Sequence, residues 1–249
     1  MERDSGLERQ NKMILPGTNV LPGNRSLYFL SKRIIDVIFS IIALIIFSPI
    51  MLFVAALIHF DSPGPVIFTQ KRVGSKRIKR AGHYYWEKME FPCHKFRTMV
   101  DKADPSVHRM FIKALINHDE QELSTILGID NKVRKIVNDP RSTRLGRFLR
   151  RSSMDELPQF WNVLIGEMSV IGPRPAIPYE VEMYKPWYFR RFEAKPGITG
   201  LWQVTARNSV GFDEMVTLDI KYIENQSFWL DLKIMFQTPL VMLSRKWVA

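Results

Sequence analysis

The sequence contains one cysteine, Cys93, in 249 residues. That excludes an intrachain disulfide and a thiolate metal cluster, fits a reducing compartment, and leaves Cys93 as inert structure. Histidine is nearly as scarce: His94, His108 and His118 lack metal-ligand spacing and read as ordinary polar residues. No Walker loop or dinucleotide fingerprint is present, and the glycines of GITG (197–200) read as turns. Acid is short relative to base, with 25 Asp+Glu against 36 Lys+Arg and a formal net charge of +11. The imbalance points to acidic partners: nucleic acid, anionic lipid headgroups or phosphorylated substrates. Nucleic acid is the weakest of these, because no binding motif for it occurs and a long apolar segment would be left unexplained.

That segment, Val37–Ile58, lacks charge altogether over 22 residues. As one straight helix it would extend about 33 Å, enough for a bilayer core of about 30 Å. Two features oppose a simple crossing. Ser48-Pro49 lies near its middle, where proline removes a helical hydrogen bond. Both flanks are basic, with Arg25, Lys32 and Arg33 before and Lys71, Arg72, Lys76 and Arg77 after, and a crossing would export one of them. A helix-break-helix hairpin keeps both ends on one side, its first arm of about 22 Å being too short to cross. Residues alone leave span and hairpin open. Asp36 reads as an interface residue paired with Lys32 or Arg33. The run begins too late and lasts too long for a cleaved signal peptide.

Elsewhere the pattern is that of a soluble domain. Residues 1–31 are polar and broken by Pro16, Gly17, Pro22 and Gly23, and read as a mobile tail. Pro65–Arg72 and Cys93–Met99 have strand character and could pair. Between them Ser75–Pro92 reads as a solvated loop or a basic-aromatic patch on headgroups. Asp101–Asn138 reads as helical, with Met110, Ala114, Leu115 and Leu123 as core positions. PWYFRRF (186–192) suits a membrane-interface anchor. The apolar tail from Phe228, with Lys233, Arg245 and Lys246 interspersed, suits either an interfacial helix or a buried one.

The densest signal is Arg141–Pro175, RSTRLGRFLRRSSMDELPQFWNVLIGEMSVIGPRP, with six arginines, no lysine and three acids. Guanidiniums need water or an anion, and arginine grips phosphate with paired hydrogen bonds. Arg144, Arg147 and Arg151 fall on one face of a helical pattern and Leu145, Phe148 and Leu149 on the other. Ser152-Ser153 interrupts that helix, and Pro158 places the start of the next near Asp155. The Asp155-Glu156 pair would then sit at a helix N-terminus. It is either a cap with a first-turn acid or a nucleophile beside a metal ligand, as phosphoryl chemistry would use.

Six ordered stretches resemble the bacterial sugar transferases, the monotopic polyprenyl-phosphate phosphoglycosyltransferases. They are Asp61–Gly74 (DSPGPVIFTQKRVG), His94–Met99 (HKFRTM), Ser152–Val163 (SSMDELPQFWNV), Gly166–Pro175 (GEMSVIGPRP), Lys195–Val204 (KPGITGLWQV) and Leu218–Thr238 (LDIKYIENQSFWLDLKIMFQT). The resemblance implies an α+β, mostly helical fold with a re-entrant membrane helix broken at Ser48-Pro49, a small β-hairpin and interfacial amphipathic helices. It divides the chain into a tail (1–31), a membrane hairpin (32–60) and a cytoplasmic catalytic domain (61–249). It implies a transferase at the cytoplasmic face of the bacterial inner membrane, with a UDP-sugar, polyprenyl phosphate and membrane lipids as partners. The oligomeric state is left open. Asp155 would attack the donor β-phosphorus and form a covalent sugar-phosphate, and Glu156 would bind Mg²⁺. Arg150 and Arg174 would handle phosphates, with Lys95 and Arg97 as further ligands. Arg207 is a weaker candidate, since the family's usual glycine is missing before it. Ser75–Pro92 and Asp101–Asn138 look like insertions relative to the smallest members. The rival from another class is a non-catalytic membrane-anchored scaffold, for which Asp155 would be dispensable.

Overall fold

The computed structural model describes residues 25–127, 139–206 and 210–243. Its first element is helix α1, Ser26–Asp61, of 36 residues. The helix starts at Ser26, inside the stretch expected to be tail. It also runs through Pro49 without interruption, where a break was expected. The local reason is visible. Proline has no N–H to give the Ile45 carbonyl, and Ser48 Oγ donates to that carbonyl instead at 2.8 Å.

Most of α1 is exposed and apolar, and it is long and apolar enough to cross a membrane. Only Asp36, Ser40, Ala43, Val54 and Ile58 are buried. Asp36 is not an interface residue. It accepts from Ser169 Oγ at 3.0 Å and from the Val170 N–H at 2.9 Å. Lys32 pairs with Asp231 at 2.9 Å instead, and Arg33 donates to the carbonyls of Val163 and Leu164.

Next comes an antiparallel hairpin of two 14-residue strands, β1 (Ile67–Arg80) and β2 (His83–Phe96), paired from Ile67↔Phe96 to Arg80↔His83. The segment read as a loop, Ser75–Pro92, is thus the outer half of the ladder. Its two-residue turn, Ala81-Gly82, has positive φ at both positions, the turn whose twist matches that of the strands. Only the glycine signalled this in the sequence. Arg77 stacks between Phe29 and Tyr84, docking the outer hairpin on the start of α1.

Helices α2 (Ser106–Asn117) and α3 (Glu120–Leu127) follow. Ala114, Leu115 and Leu123 are buried as expected, whereas Met110 is exposed and Phe111, Ile112 and Ile116 fill the core. The expected helix beyond Leu127, up to Asn138, lies outside the described residues.

The arginine-rich stretch folds as α4 (Arg144–Ser152), a one-turn 3-10 segment (Met154–Glu156), α5 (Gln159–Ile165) and β3 (Ser169–Ile171). Then come α6 (Pro178–Val181), a 3-10 segment (Pro186–Phe192), β4 (Gly197–Thr199), α7 (Leu201–Thr205), α8 (Phe212–Glu224) and α9 (Phe228–Leu243). β3 and β4 pair in parallel, so GITG forms a strand rather than turns alone.

PWYFRRF is divided between core and surface rather than wholly a surface anchor: Tyr188, Arg191 and Phe192 are buried, while Pro186, Trp187 and Arg190 are exposed. Arg191 is the reason, since it is neutralised inside by Asp219 at 2.8 Å and Glu180 at 3.3 Å. The C-terminal helix α9 behaves oppositely. Only Ile234 is buried, and Phe228, Trp229, Phe236, Leu240 and Leu243 are exposed.

Candidate active site

Three elements converge on the acid pair. The first is α4, started by Thr143, whose side chain accepts from the Gly146 N–H at 2.9 Å. Gly146 is required there by contact, because a Cβ at this position would lie 1.9 Å from the Thr98 carbonyl oxygen. This close approach lets Arg150 Nε donate to Thr98 Oγ1 at 2.9 Å, with Nη1 reaching Ser142 Oγ at 3.4 Å.

The second element is β2, bolted to α5 by the buried Asn162. Its Oδ1 accepts from the His94 N–H, and its Nδ2 donates to the Pro92 carbonyl at 2.7 Å and to Glu167 at 2.6 Å. The residue after His94 is Lys95, whose Nζ lies 2.7 Å from Glu156 Oε1.

The third is the loop Gly172–Pro175, fixed by hydrogen bonds on four of its backbone groups. The Gly172 N–H donates to the Thr199 carbonyl, and the Pro173 carbonyl accepts from the Gly197 N–H. Arg191 donates to the Arg174 carbonyl and Arg72 to that of Pro175. So fixed, Arg174 brings Nη1 to 3.5 Å from Glu156 Oε1.

The acids occupy the 3-10 turn between α4 and α5, entered through Ser153 in the left-handed conformation. They lie in the first turn of that 3-10 helix, the helix start expected near Asp155, though not in the first turn of an α-helix. Pro158 precedes α5, so the following helix begins after the acids rather than with them. Nor is Asp155 an N-cap, and its side chain is left for other work.

The two carboxyls are driven apart. Burial raises Asp155 above the ordinary carboxylate range, and the Glu156 charge adds to this against Lys95, Arg150 and Arg174. Burial acts the same way on Glu156, but Lys95 and Arg174 outweigh it, and its carboxyl ends below the ordinary range. The result is one firmly ionised carboxylate beside a poorly solvated, more basic one, ringed by three cations. Such a set can neutralise a phosphoryl group and attack it.

Among the described residues no three His, Cys, Asp or Glu side chains gather as a metal-ligand set. A hard cation taking one or two carboxylate ligands and the rest from water and substrate phosphate still fits. Glu156 is held ionised and spends Oε1 on Lys95.

Of the expected phosphate ligands, Lys95, Arg150 and Arg174 come together around the acids. Arg97 does not join them: its guanidinium donates to the carbonyls of Ile58, Ser62 and Pro63 and so closes the end of α1. Arg207 lies outside the described residues. Cys93 is buried and its thiol is pushed up by that burial, in keeping with an inert role. Two residues beside the site were given other roles in the sequence, Arg72 as part of a basic flank and Arg191 within PWYFRRF. Only their depth in the fold shows that they belong near the site.

The profile of a family described as bacterial sugar transferase matches residues 27–245. The exopolysaccharide production protein ExoY of Rhizobium meliloti (strain 1021) is 39% identical over 217 residues, covering 87% of each chain. The undecaprenyl-phosphate galactose phosphotransferase of Salmonella typhimurium is 41% identical over 221 residues, 89% of this chain but 42% of that longer protein. The UDP-glucose:undecaprenyl-phosphate glucose-1-phosphate transferase of Klebsiella pneumoniae is 38% identical over 218 residues, 83% of this chain and 39% of its own. With a family profile matched over most of its length around a buried acid pair, this chain belongs to the bacterial sugar transferases.

Proposed function

We propose that this protein transfers a sugar-1-phosphate from a UDP-sugar to polyprenyl phosphate, the step that starts glycan assembly on a lipid carrier. The observation that carries the reading is the divided acid pair, with Asp155 buried and raised and Glu156 ionised by Lys95 and Arg174. The names of the Salmonella and Klebsiella relatives support the substrate classes.

The Asp155 carboxylate attacks the β-phosphorus of the donor. A bond forms from its oxygen to phosphorus, the bond to the α-phosphate oxygen breaks, and UMP leaves with the electron pair. A carboxylate needs no general base for this. A phosphate oxygen of the polyprenyl acceptor then attacks the same phosphorus, releasing Asp155 and yielding polyprenyl-diphospho-sugar. Lys95, Arg150 and Arg174 hold the charge of the oxygens around phosphorus throughout. Glu156, with Asp155 beside it, would hold Mg²⁺, which when bound supplies neutralisation of the diphosphate charge.

The acceptor's phosphate is found at a bilayer surface, and the exposed apolar residues fit that place. Phe148 on α4 and Trp161 and Ile165 on α5 flank the acid turn and are exposed, as are many apolar residues of α1 and α9. Both halves of α1 also lie against the same body. Asp36 bonds to β3, while Val54 and Ile58 pack with Phe96 and Leu149. These contacts favour a re-entrant α1 over a crossing that exports one end, and in this reading the site works at the cytoplasmic face of the inner membrane, where a nucleotide sugar would reach it.

The test is intact-protein mass after incubation with Mg²⁺ and a panel of UDP-sugars, without lipid acceptor. A sugar-phosphate adduct in wild type and none in Asp155→Asn is expected. No adduct and no UMP release on adding polyprenyl phosphate would sink the reading in favour of a membrane scaffold.

A further inference from the structure

Two arginines are buried near the Gly172–Pro175 loop, and they differ in one respect. Arg191 is compensated by Asp219 and Glu180. Arg72, 8% exposed, has no carboxylate within ion-pair distance among the described residues. Its Nη1 donates to the Pro175 carbonyl at 3.0 Å, and its Nε has no hydrogen-bond partner. Burial and the like charge of Arg174 both act against its ionised form, more strongly than Cys93, Glu180 and Tyr179 support it. A buried charge left in this state is destabilising, and chains keep one where a ligand supplies the missing anion.

The hairpin register says where that anion lies. Arg72 pairs with Phe91, Gln70 with Cys93 and Phe68 with Lys95, so Arg72 and Lys95 project from one face of the ladder. Lys95 ends on Glu156, and Arg72 ends on the residue after Arg174, which also reaches Glu156. Lys95, Arg150 and Arg174 are the cations that act on Asp155, while Arg72 acts on Glu156. The phosphorus under attack must sit at Asp155. A second phosphate joined to it and directed along the Glu156–Arg174 side arrives at Arg72.

We propose that Arg72 binds the α-phosphate of the donor, the phosphate that departs with the nucleoside. This rests on the phosphoglycosyl-transfer reading above. With Nη1 fixed on Pro175, the planar guanidinium is pre-oriented, and its unpartnered edge can meet a phosphate oxygen that gains charge as the β-phosphorus–oxygen bond breaks.

The experiment compares UMP, uridine and inorganic phosphate binding to detergent-purified wild type, Arg72→Gln and Arg72→Lys, alongside steady-state kinetics and melting curves. Arg72→Gln is expected to lose at least tenfold in UMP affinity with uridine affinity unchanged. Its KM for the donor rises while KM for polyprenyl phosphate stays put. Arg72→Lys, which keeps the charge without the fork, is expected to lose about fivefold. Should Arg72→Gln not fold, Arg72→Lys decides the matter. Wild-type UMP affinity in a folded variant reduces Arg72 to a clamp on Pro175 and overturns the proposal, as does a wild type that binds neither UMP nor phosphate. A wild type that binds UMP through Arg72 yet releases none from any UDP-sugar refutes the transferase reading and leaves the phosphate site standing.

Discussion

Lys95 Nζ and Glu156 Oε1 are 2.7 Å apart, and no described residue makes an equivalent ion pair with Asp155 next door. This one relationship gives two adjacent carboxylates opposite tendencies. It makes Glu156 the permanent anion and leaves Asp155 the more basic of the two, with burial rather than a counter-ion setting its affinity for a proton.

The first consequence is a pH profile. Attack requires ionised Asp155, whose carboxyl is raised, so donor kcat/KM should fall on acidification through a midpoint above the ordinary aspartate value of about 3.9. Lys95 lowers Asp155, so in Lys95→Met the acid limb should move further up. Initial rates of UMP release from pH 4.5 to 8 check both, and a limb that stays or moves down contradicts the assignment.

Stability should respond with the opposite sign to activity. A carboxyl raised in the folded state keeps more protons folded than unfolded, so its effect on stability becomes unfavourable as pH rises from the unfolded value through the folded one. At pH 7 Asp155→Asn should therefore melt no lower than wild type while losing all turnover. A melting temperature several degrees lower would make Asp155 a structural residue.

Gly146→Ala tests how α4 seats Arg150. Its new Cβ would meet the Thr98 carbonyl oxygen at 1.9 Å, and backbone cannot swing aside as a side chain would. A loss of about 1–3 kcal/mol is expected from overpacking. UMP release should suffer beyond that loss, because Thr98 also anchors Arg150. Denaturant unfolding and single-turnover rates separate the two effects.

Arg191→Met should cost about 3–5 kcal/mol, since it strands the buried carboxylates of Asp219 and Glu180 without a counter-charge. Neutralising Asp219 as well, in Arg191→Met/Asp219→Asn, should recover part of the loss in denaturant unfolding. No recovery would mean that packing, not charge, is what Arg191 supplies.

Topology can be read by labelling. Leu27→Cys and Asp61→Cys stand at the two ends of α1, and both positions are exposed, whereas the native Cys93 is buried and should stay silent. A membrane-impermeant thiol reagent applied to one side of oriented vesicles should reach both sites from that side. Labelling from opposite sides would establish a crossing.

Local rules made much of this molecule legible in advance. Alternating faces and the Ser152-Ser153 step marked α4, and the arginine density around Asp155-Glu156 marked the site. The uncharged stretch within α1 was evident from composition. The outer hairpin was not legible, because Lys76–Lys88 is basic and aromatic rather than alternating, and its turn pairs an alanine with a glycine. The roles of PWYFRRF and Arg97 were misread for one reason: a cation's partner is a long-range fact. Arg191 finds Asp219 28 residues away, and Arg97 finds the Ile58 carbonyl 39 residues back.

By itself, the sequence determined the family, the acid pair, the cations that surround it and the apolar helix, since each rests on residue type and short spacing. Tertiary structure alone decided which cations meet which acids. It placed Lys95 and Arg174 on Glu156, turned Arg97 away to the end of α1, and left Arg72 buried without a counter-charge. The physical reason is that ionisation and affinity depend on desolvation and on charges a few ångströms away. Those distances are set by how β2, α4 and the Gly172–Pro175 loop pack, not by their order along the chain.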